Sequence, residues 1–117
     1  MARFRISNLT TLESLPCPCG TTQRAFVEDA DQTASVHLVE ISKETRLHYH
    51  KTLTEIYVIL QGTGFLELDG ERVPVQPLTA VKILPGCVHR AVGDLQILNI
   101  AIPAFNAEDE WDVAETG

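Results

Sequence analysis

The sequence has no long uninterrupted apolar segment. Its most apolar stretch, Leu95–Phe105, is broken by Gln96, Asn99 and Pro103 and is shorter than the roughly 18 residues that a membrane-spanning helix needs. The first residues, Met1–Ser7, are interrupted by charged and polar groups before any apolar run of signal-peptide length occurs. We therefore expect a cytoplasmic protein with no membrane partner.

Positive charge is also scarce. Nine Lys and Arg residues stand against 16 Asp and Glu residues, for a formal net charge of -7. This is the wrong sign for a protein that neutralises nucleic-acid phosphates or binds an anionic membrane surface. Much of the excess is at the C-terminal end, in Glu108, Asp109, Glu110, Asp112 and Glu115. We expect that end to be a solvated tail, in which Trp111 could pack on the barrel or on a second subunit.

Only three cysteines are present, and an odd number fits a reducing compartment better than a disulfide framework. Cys17 and Cys19 lie in the proline-rich segment Leu15–Gly20, which predicts a turn with no regular strand. The three thiols are too few and too badly spaced for a structural zinc site, so we expect Cys17 and Cys19 to lie in an ordinary loop. Cys87 precedes His89 by two residues, and its thiol could contact a substrate or a metal, although the role of a small buried apolar residue is favoured.

Helical periodicity is missing from most of the chain, apart from a possible short piece in the acidic tail. The 117 residues make one domain, and 44% apolar residues can form a core. Short runs rich in β-branched residues recur between turn residues, which is typical of sandwiches and barrels. They are Ser35–Ile41, Arg46–His50, Glu55–Leu60, Gly64–Leu68, Glu71–Val75, Ala80–Leu84, His89–Val92 and Leu95–Ile102.

The predicted fold is all-β, a closed or nearly closed barrel, because closure removes exposed strand edges. Asp69-Gly70 between two runs predicts a two-residue type I′ hairpin. We divide the single domain into an irregular N-terminal segment (residues 1–35), a barrel (36–103) and the acidic tail (104–117).

Four residues in the predicted barrel have the chemistry of a metal site. His48 and His50 are two apart in an extended run, so their imidazoles point to one face. Glu55 opens the next run after a short polar connection, and a turn at Pro85-Gly86 can bring His89 close to the first pair. Imidazole and carboxylate donors suit iron, manganese, zinc, nickel or cobalt rather than calcium, and four protein ligands leave positions open on a six-coordinate ion.

The pattern His48-x-His50, four residues, Glu55, six residues, Gly62 resembles the first motif of the cupin superfamily, and Gly86-x-x-His89 is similar to part of the second. The resemblance covers about residues 36 to 103. It implies a double-stranded β-helix, or jelly-roll barrel, in which His48, His50, Glu55 and His89 bind one divalent metal ion. Motif positions occupied by Ser42, Leu78, Leu84 and Gly93 depart from the family pattern without affecting a ligand.

Other side chains are candidates for the site. Arg46 shares the alternation of His48 and His50, so it points inward to bind a substrate carboxylate if the strand is regular, and outward if the strand bulges. Tyr57 shares the phase of Glu55, and we place it with Glu55 and Arg46 among the candidate catalytic residues. Asn99 lies in an apolar run, so Tyr57 and Asn99 could each line the cavity, although the role of a satisfied polar group in the core is favoured for both. His37 is expected to be structural.

The sequence thus predicts a metal-dependent enzyme that acts on a small molecule, with the resemblance favouring dioxygenase-like chemistry at iron. Two alternatives stay open. Zinc or manganese at the same site would act as a Lewis acid in an isomerase or lyase, and a barrel without catalysis could bind a sugar or an effector. Similar small cupins are commonly homodimers, and the N-terminal segment is suited to strand exchange with a partner.

Overall fold

The computed structural model describes residues 3–17, 19–42 and 45–113, and nine strands form within them. Two three-residue 3-10 turns, Leu9–Thr11 and Ala107–Asp109, are the helical elements of this part of the chain. None of its helices is long and apolar enough to cross a bilayer. The strands are β1 (Leu15–Cys17), β2 (Gly20–Ala25), β3 (Ser35–Ile41), β4 (His48–Tyr49), β5 (Thr54–Leu68), β6 (Glu71–Val75), β7 (Ala80–Ile83), β8 (His89–Ile102) and β9 (Trp111–Asp112).

Two long antiparallel strands, β5 and β8, form the frame of the barrel. They pair along their whole lengths, from Thr54 opposite Ile102 to Leu68 opposite His89. The first part of β5 also pairs with β7 and its last part with β6, while the second half of β8 pairs with β3. This curled antiparallel sheet is a jelly-roll barrel, which confirms the predicted fold class.

The sequence runs 55–60 and 64–68 were predicted as separate strands, but they are the two ends of β5. Runs 89–92 and 95–102 are likewise continuous in β8. The residues between these runs continue the strands and do not form turns. The pairing of β5 with β8 shifts register between Ile59 and Gln61, as it does at a β-bulge. A bulge bends a long strand, so that its two ends can pair in different parts of a sheet.

Gly62 occupies a position in this bend that other residues cannot take without strain. Its φ is +91°, and a Cβ built there would collide with the backbone carbonyl oxygen of Asp94 on β8. Glycine is therefore required both for its backbone angle and for the close approach of the two strands. Gly62 is the last residue of the first motif, and its role is to permit this backbone conformation.

The hairpin predicted at Asp69-Gly70 is confirmed. Both residues have positive φ, 48° and 86°, and Leu68 pairs with Glu71 across the turn. These are the angles that a two-residue type I′ turn requires.

The expectation that Leu15–Gly20 contains no strand is wrong. β1 lies inside this segment and pairs with β2, which begins at Gly20 and pairs with β3. The N-terminal segment that was predicted to be irregular therefore adds two strands to the sheet. β1 lies at the end of the strand order, where a proline such as Pro16 is tolerated because one side of the strand has no ladder to support. Cys17 and Cys19 are joined in a disulfide rather than lying in an ordinary loop as free thiols.

The interior of the barrel has an apolar and a polar part. The apolar cluster consists of Val39, Ile41, Ile59, Leu66, Val75, Ala91, Leu95 and Ile97. Beyond it, one row of paired residues crosses four adjacent strands and is polar at every position: Arg24 pairs with His37, His37 with Asn99, and Asn99 with Tyr57. We call these four residues the polar row.

The acidic tail was predicted to be solvated, but part of it forms a strand. β9 pairs with β4, placing Asp112 opposite His48 and Trp111 opposite Tyr49. Lys51 lies 3.7 Å from the centre of the Trp111 ring, at the distance of a cation–π contact. Residues 107–112 therefore form a strap across the edge of the barrel that carries the histidines.

Candidate metal centre

The structure brings together the four residues that the sequence predicted as metal ligands. His48 lies on β4, His50 directly follows it, Glu55 is near the start of β5, and His89 begins β8. One donor atom from each lies within 4.8 Å of the donors of the others. His50, Glu55 and His89 are buried, and His48 is half-buried.

Each imidazole of the cluster is oriented by a hydrogen bond to a backbone carbonyl. A carbonyl oxygen can only accept, so the Nδ1 atom of each ring must carry the proton. The Nε2 atom is then the one that presents a lone pair to the centre, which is the arrangement typical of metal-binding histidines. The three bonds run from His48 to Arg46 at 2.9 Å, from His50 to Asp109 at 2.8 Å and from His89 to Cys87 at 2.9 Å.

Glu55 contacts two of the three histidines of the cluster. Its Oε1 lies 3.0 Å from Nε2 of both His50 and His89, and its Oε2 accepts a 2.6 Å hydrogen bond from Nδ2 of Asn99. Nε2 of His50 is buried and makes no hydrogen bond within the part of the chain that the structure describes. Because two imidazole lone pairs cannot face one carboxylate oxygen favourably, this point requires a cation, either protons or a metal ion.

The donor set fits a transition-metal ion. Two ligand atoms that each lie about 2.1 Å from one ion at right angles are about 3.0 Å apart, which is the separation of Oε1 of Glu55 from Nε2 of both His50 and His89. Three imidazoles and one carboxylate are donors for iron, manganese, zinc or nickel. The four residues would hold one such ion, whose identity the donor set leaves open.

The charges of the cluster follow from burial and from the contacts of Glu55. Burial alone would raise the pKa of Glu55, but the contacts with His50 and His89 hold it well below its usual range. Burial lowers the pKa of His50, yet Glu55 outweighs it and the net direction is upward. Burial and the neighbouring His89 lower the pKa of His48 to about 4. Glu55 is therefore a carboxylate and His48 a neutral imidazole near pH 7.

A cavity of about 590 Å³, counting the part open to solvent, lies next to the cluster. Its walls include the polar row and the Cys17–Cys19 disulfide. Tyr57, a member of this row, has its ring centre 6.0 Å from that of His89. Burial and the Glu55 carboxylate raise the pKa of Tyr57 well above its usual value, so its phenol stays protonated and able to donate.

Arg46 is not brought to the cavity. Of the two orientations that the sequence left open, the structure shows the outward one: the exposed guanidinium donates a 2.8 Å hydrogen bond to Asp112. The reason is that β4 begins only at His48, so strand alternation does not extend back to residue 46. Asp112, which binds it, belongs to the strap.

Asp109 supports the site, although sequence reasoning placed it in a solvated tail. Its carboxylate accepts hydrogen bonds from the backbone amides of Lys51, Thr52 and Leu53, at 2.9, 3.0 and 3.1 Å. The backbone carbonyl of Asp109 accepts the hydrogen bond from Nδ1 of His50. Asp109 thus fixes the connection between two predicted ligands, His50 and Glu55. The sequence offered no signal for this beyond an acidic residue in an acidic segment.

Two other candidates have mainly structural surroundings. His37 is buried, with Nε2 2.7 Å from Ser35 Oγ and its ring edge-on to Phe105. Cys87 is partly buried and does not line the cavity. Its backbone carbonyl accepts the hydrogen bond from Nδ1 of His89.

Residues 40–113 match the model of a protein family described as the AraC-like ligand binding domain. The uncharacterized protein MJ1618 of Methanocaldococcus jannaschii is 34% identical over 82 residues, which are 67% of this chain and 66% of that protein. This chain therefore covers slightly less than two thirds of the curated relative.

Solved structures share the fold over nearly the whole chain. A protein from Planctomyces limnophilus is 41% identical, with a TM-score of 0.87, and the match covers 94% of this chain and 97% of that one. Pac13, a nucleoside dehydratase from Streptomyces, has a TM-score of 0.80 at 18% identity, with coverage of 99% and 95%. At that identity the likeness to Pac13 concerns the fold alone.

Proposed function

This chain is a small cupin that belongs to the AraC-like ligand binding domain family, and from that premise we propose that it is a metal-dependent enzyme acting on a small polar molecule. The observation that carries the proposal is the orientation of the three imidazoles. Backbone carbonyls hold each Nδ1 proton, so three Nε2 atoms and a Glu55 oxygen face one point. Burying these lone pairs side by side without a partner is unfavourable in free energy, and a bound cation would remove that penalty.

Dioxygenase-like chemistry is the first candidate reaction. Four protein donors would leave positions open on a six-coordinate ion, and iron held by these residues would supply binding positions for substrate and dioxygen. The chain's own part is to hold the donors in position. Asn99 orients Glu55 by donating a hydrogen bond to its Oε2 atom. The backbone carbonyl of Asp109 orients His50 by accepting a hydrogen bond from its Nδ1 atom.

Lyase or isomerase chemistry is the second candidate, and Tyr57 is the observation that favours it. A phenol that stays protonated beside the cluster can donate to an oxygen or leaving group of a substrate in the cavity. A zinc or manganese ion at the cluster would polarise that substrate as a Lewis acid. The related barrel of Pac13 belongs to a nucleoside dehydratase, so this type of barrel can support elimination.

Binding without turnover is the third candidate, supported by the family's description as a ligand binding domain. In that case the cavity would hold a sugar or an effector, and Tyr57 would position it through a hydrogen bond rather than transfer a proton.

The first test is the metal content of the full chain purified without chelator, followed by reconstitution with iron, manganese, zinc and nickel in turn. The matched variants are His50→Ala, which removes a donor, and His37→Gln, which changes a buried histidine outside the cluster. We expect about one ion per chain in the wild type and in His37→Gln, and a large loss in His50→Ala. No uptake of any of these metals by the folded wild type would contradict the proposal.

A second measurement separates the candidate reactions. The iron-loaded protein is mixed anaerobically with nitric oxide, which binds an open position on ferrous iron and gives a characteristic electron paramagnetic resonance signal. The dioxygenase proposal is supported if this signal is seen and if the iron-loaded protein also consumes oxygen when a small molecule that binds to it is added. Retention of zinc or manganese over iron, with turnover lost in Tyr57→Phe, supports the lyase or isomerase.

A further inference from the structure

Three buried polar atoms outside the metal cluster belong to residues that line the cavity, and none of the three has a hydrogen-bond partner among the described residues. They are Thr22 Oγ1, Arg24 Nε and Asn99 Oδ1. The exposed fractions of Thr22 and Asn99 are only 2% and 8%. Buried polar groups in folded proteins are nearly always hydrogen-bonded, because leaving one unpaired is costly. Their convergence on one cavity indicates that a ligand supplies the partners.

Arg24 has the geometry of an anion-binding residue. It shares a face of β2 with Thr22, and its guanidinium carbon lies 4.3 Å from the centre of the Phe105 ring. Stacking on a ring leaves the edge of the guanidinium, including Nε, free to donate two parallel hydrogen bonds to a planar acceptor. Within residues 3–17, 19–42 and 45–113, the structure shows no ion pair between Arg24 and a carboxylate.

The charges around the cavity favour a singly charged carboxylate over a phosphate. Glu110 also lines the cavity and is not one of the predicted metal ligands, so no bound ion offsets its charge and it repels each additional negative charge on a ligand. Burial lowers the pKa of Arg24, and Glu110 raises it to a smaller extent. One guanidinium that is partly desolvated in this way is matched by one negative charge.

Asn99 adds a second requirement. Its Nδ2 must be the group that contacts Glu55 Oε2, because a carboxylate can only accept. The amide orientation is therefore fixed, and Oδ1 is left as an acceptor to which none of the described residues donates. A hydroxyl or amino group on the ligand would supply that donor beside the cluster.

Arg24 and Asn99 are two strands apart in the polar row, with His37 between them. Two strand spacings are ~10 Å, which is the scale of a metabolite. We infer that the cavity takes a small organic carboxylate that also carries a hydroxyl or amino group, with Arg24 binding the carboxylate and Asn99 Oδ1 accepting from the donor. Thr22 Oγ1 lies on the same strand face as Arg24 and supplies a further hydrogen bond at the carboxylate end.

This inference deepens the proposed function, since it names the substrate class for the same cavity, but it needs no turnover. The test is a binding titration of the full chain as purified, with the metal content of every sample measured. The probes are the ω-hydroxycarboxylates from glycolate to 6-hydroxyhexanoate and the corresponding carboxamides. A carboxamide keeps the length and the hydroxyl group and removes only the charge.

The variants are Arg24→Gln and Arg24→Lys, with Arg72→Gln as the matched control. Arg72 also lies 4.3 Å from an aromatic ring, that of Phe65, but it is exposed and away from the cavity. We expect the best carboxylate to bind the wild type on the order of 10- to 100-fold more tightly than its carboxamide. Arg24→Gln should abolish that ratio, Arg24→Lys should keep part of it, and Arg72→Gln should leave it unchanged.

Four results would overturn the inference: equal affinity for carboxylate and carboxamide in the wild type, an unchanged ratio in folded Arg24→Gln, tighter binding of inorganic phosphate than of every carboxylate, or no binding of any probe. Failure of the proposed metal function is separate, since it appears as absent metal rather than as an altered probe ratio. Thermal melting of each variant establishes that it is folded.

Discussion

Nδ1 of His50 donates a 2.8 Å hydrogen bond to the backbone carbonyl of Asp109, across 59 residues of sequence. This contact ties the C-terminal strap to a predicted metal ligand. The Asp109 carboxylate binds the loop that leads from His50 to Glu55, so the strap holds both the ligand and its connection.

Replacing Asp109 with Ala should lower the free energy of unfolding by about 1–2 kcal/mol, because three backbone amides lose a charged acceptor. It should also weaken metal binding, since the His50 loop becomes less ordered. Chemical denaturation and metal titration measure the two effects. Asp112→Ala is the control: its exposed pair with Arg46 is expected to contribute about 0–1 kcal/mol. Equal effects of the two substitutions would contradict the role assigned to Asp109.

Asn99→Ala should weaken metal binding by about 10- to 100-fold, the usual effect of removing a group that orients a ligand. The cause is the loss of the 2.6 Å bond that positions Glu55. Competition with a coloured chelator measures the affinity. Gln96→Ala is the control on the same strand, since its amide contacts Glu40 at an exposed position. Unchanged affinity in folded Asn99→Ala would show that Glu55 needs no such support.

Gly62→Ala should destabilise the barrel more than Gly70→Ala. Both glycines have positive φ, 91° and 86°, so both substitutions incur a left-handed backbone cost of about 1–2 kcal/mol. At Gly62 the new Cβ also collides with the Asp94 carbonyl, whereas nothing lies within 4 Å at Gly70. Denaturant unfolding of the pair measures the difference. Equal destabilisation would mean that β5 and β8 separate easily at this bend.

His37 should make the protein less stable as the pH falls from about 6.5 to about 4. Burial and Arg24 lower its pKa from 6.5 to about 4, with Glu55 acting in the opposite direction. In this window the unfolded chain binds the proton that the folded chain excludes, so stability decreases with acidification, by up to about 3 kcal/mol. His37→Gln should reduce the slope of unfolding free energy against pH. The same slope in both proteins would contradict this origin.

We propose that the chain forms a homodimer through its N-terminal segment. Phe4 and Ile6 are exposed by 69% and 87%, and burying them against a second copy would remove apolar surface from water. Light scattering at micromolar concentration should give a dimer that the double substitution Phe4→Ser, Ile6→Ser dissociates. Leu78→Ser, at an exposed turn, should leave it intact. A monomeric wild type would contradict the proposal.

Local sequence determined much of the molecule. Two-residue alternation and turn chemistry predicted the strands between residues 35 and 102 and the Asp69-Gly70 hairpin, because both depend on residues that are neighbours in the chain. The spacing of the two motifs singled out His48, His50, Glu55 and His89, which the structure brings together.

Tertiary structure decided the features that depend on pairing between distant segments. The outward orientation of Arg46 follows from where β4 begins, and the role of Asp109 follows from the return of the strap to the His50 loop. Arg24 and Asn99 share one cavity only because β2, β3 and β8 pair in a particular register. Register is fixed by the packing of the whole sheet rather than by either segment alone, and for that reason the sequence predicted a metal centre, with Asn99 as a candidate near it, but did not indicate Arg24.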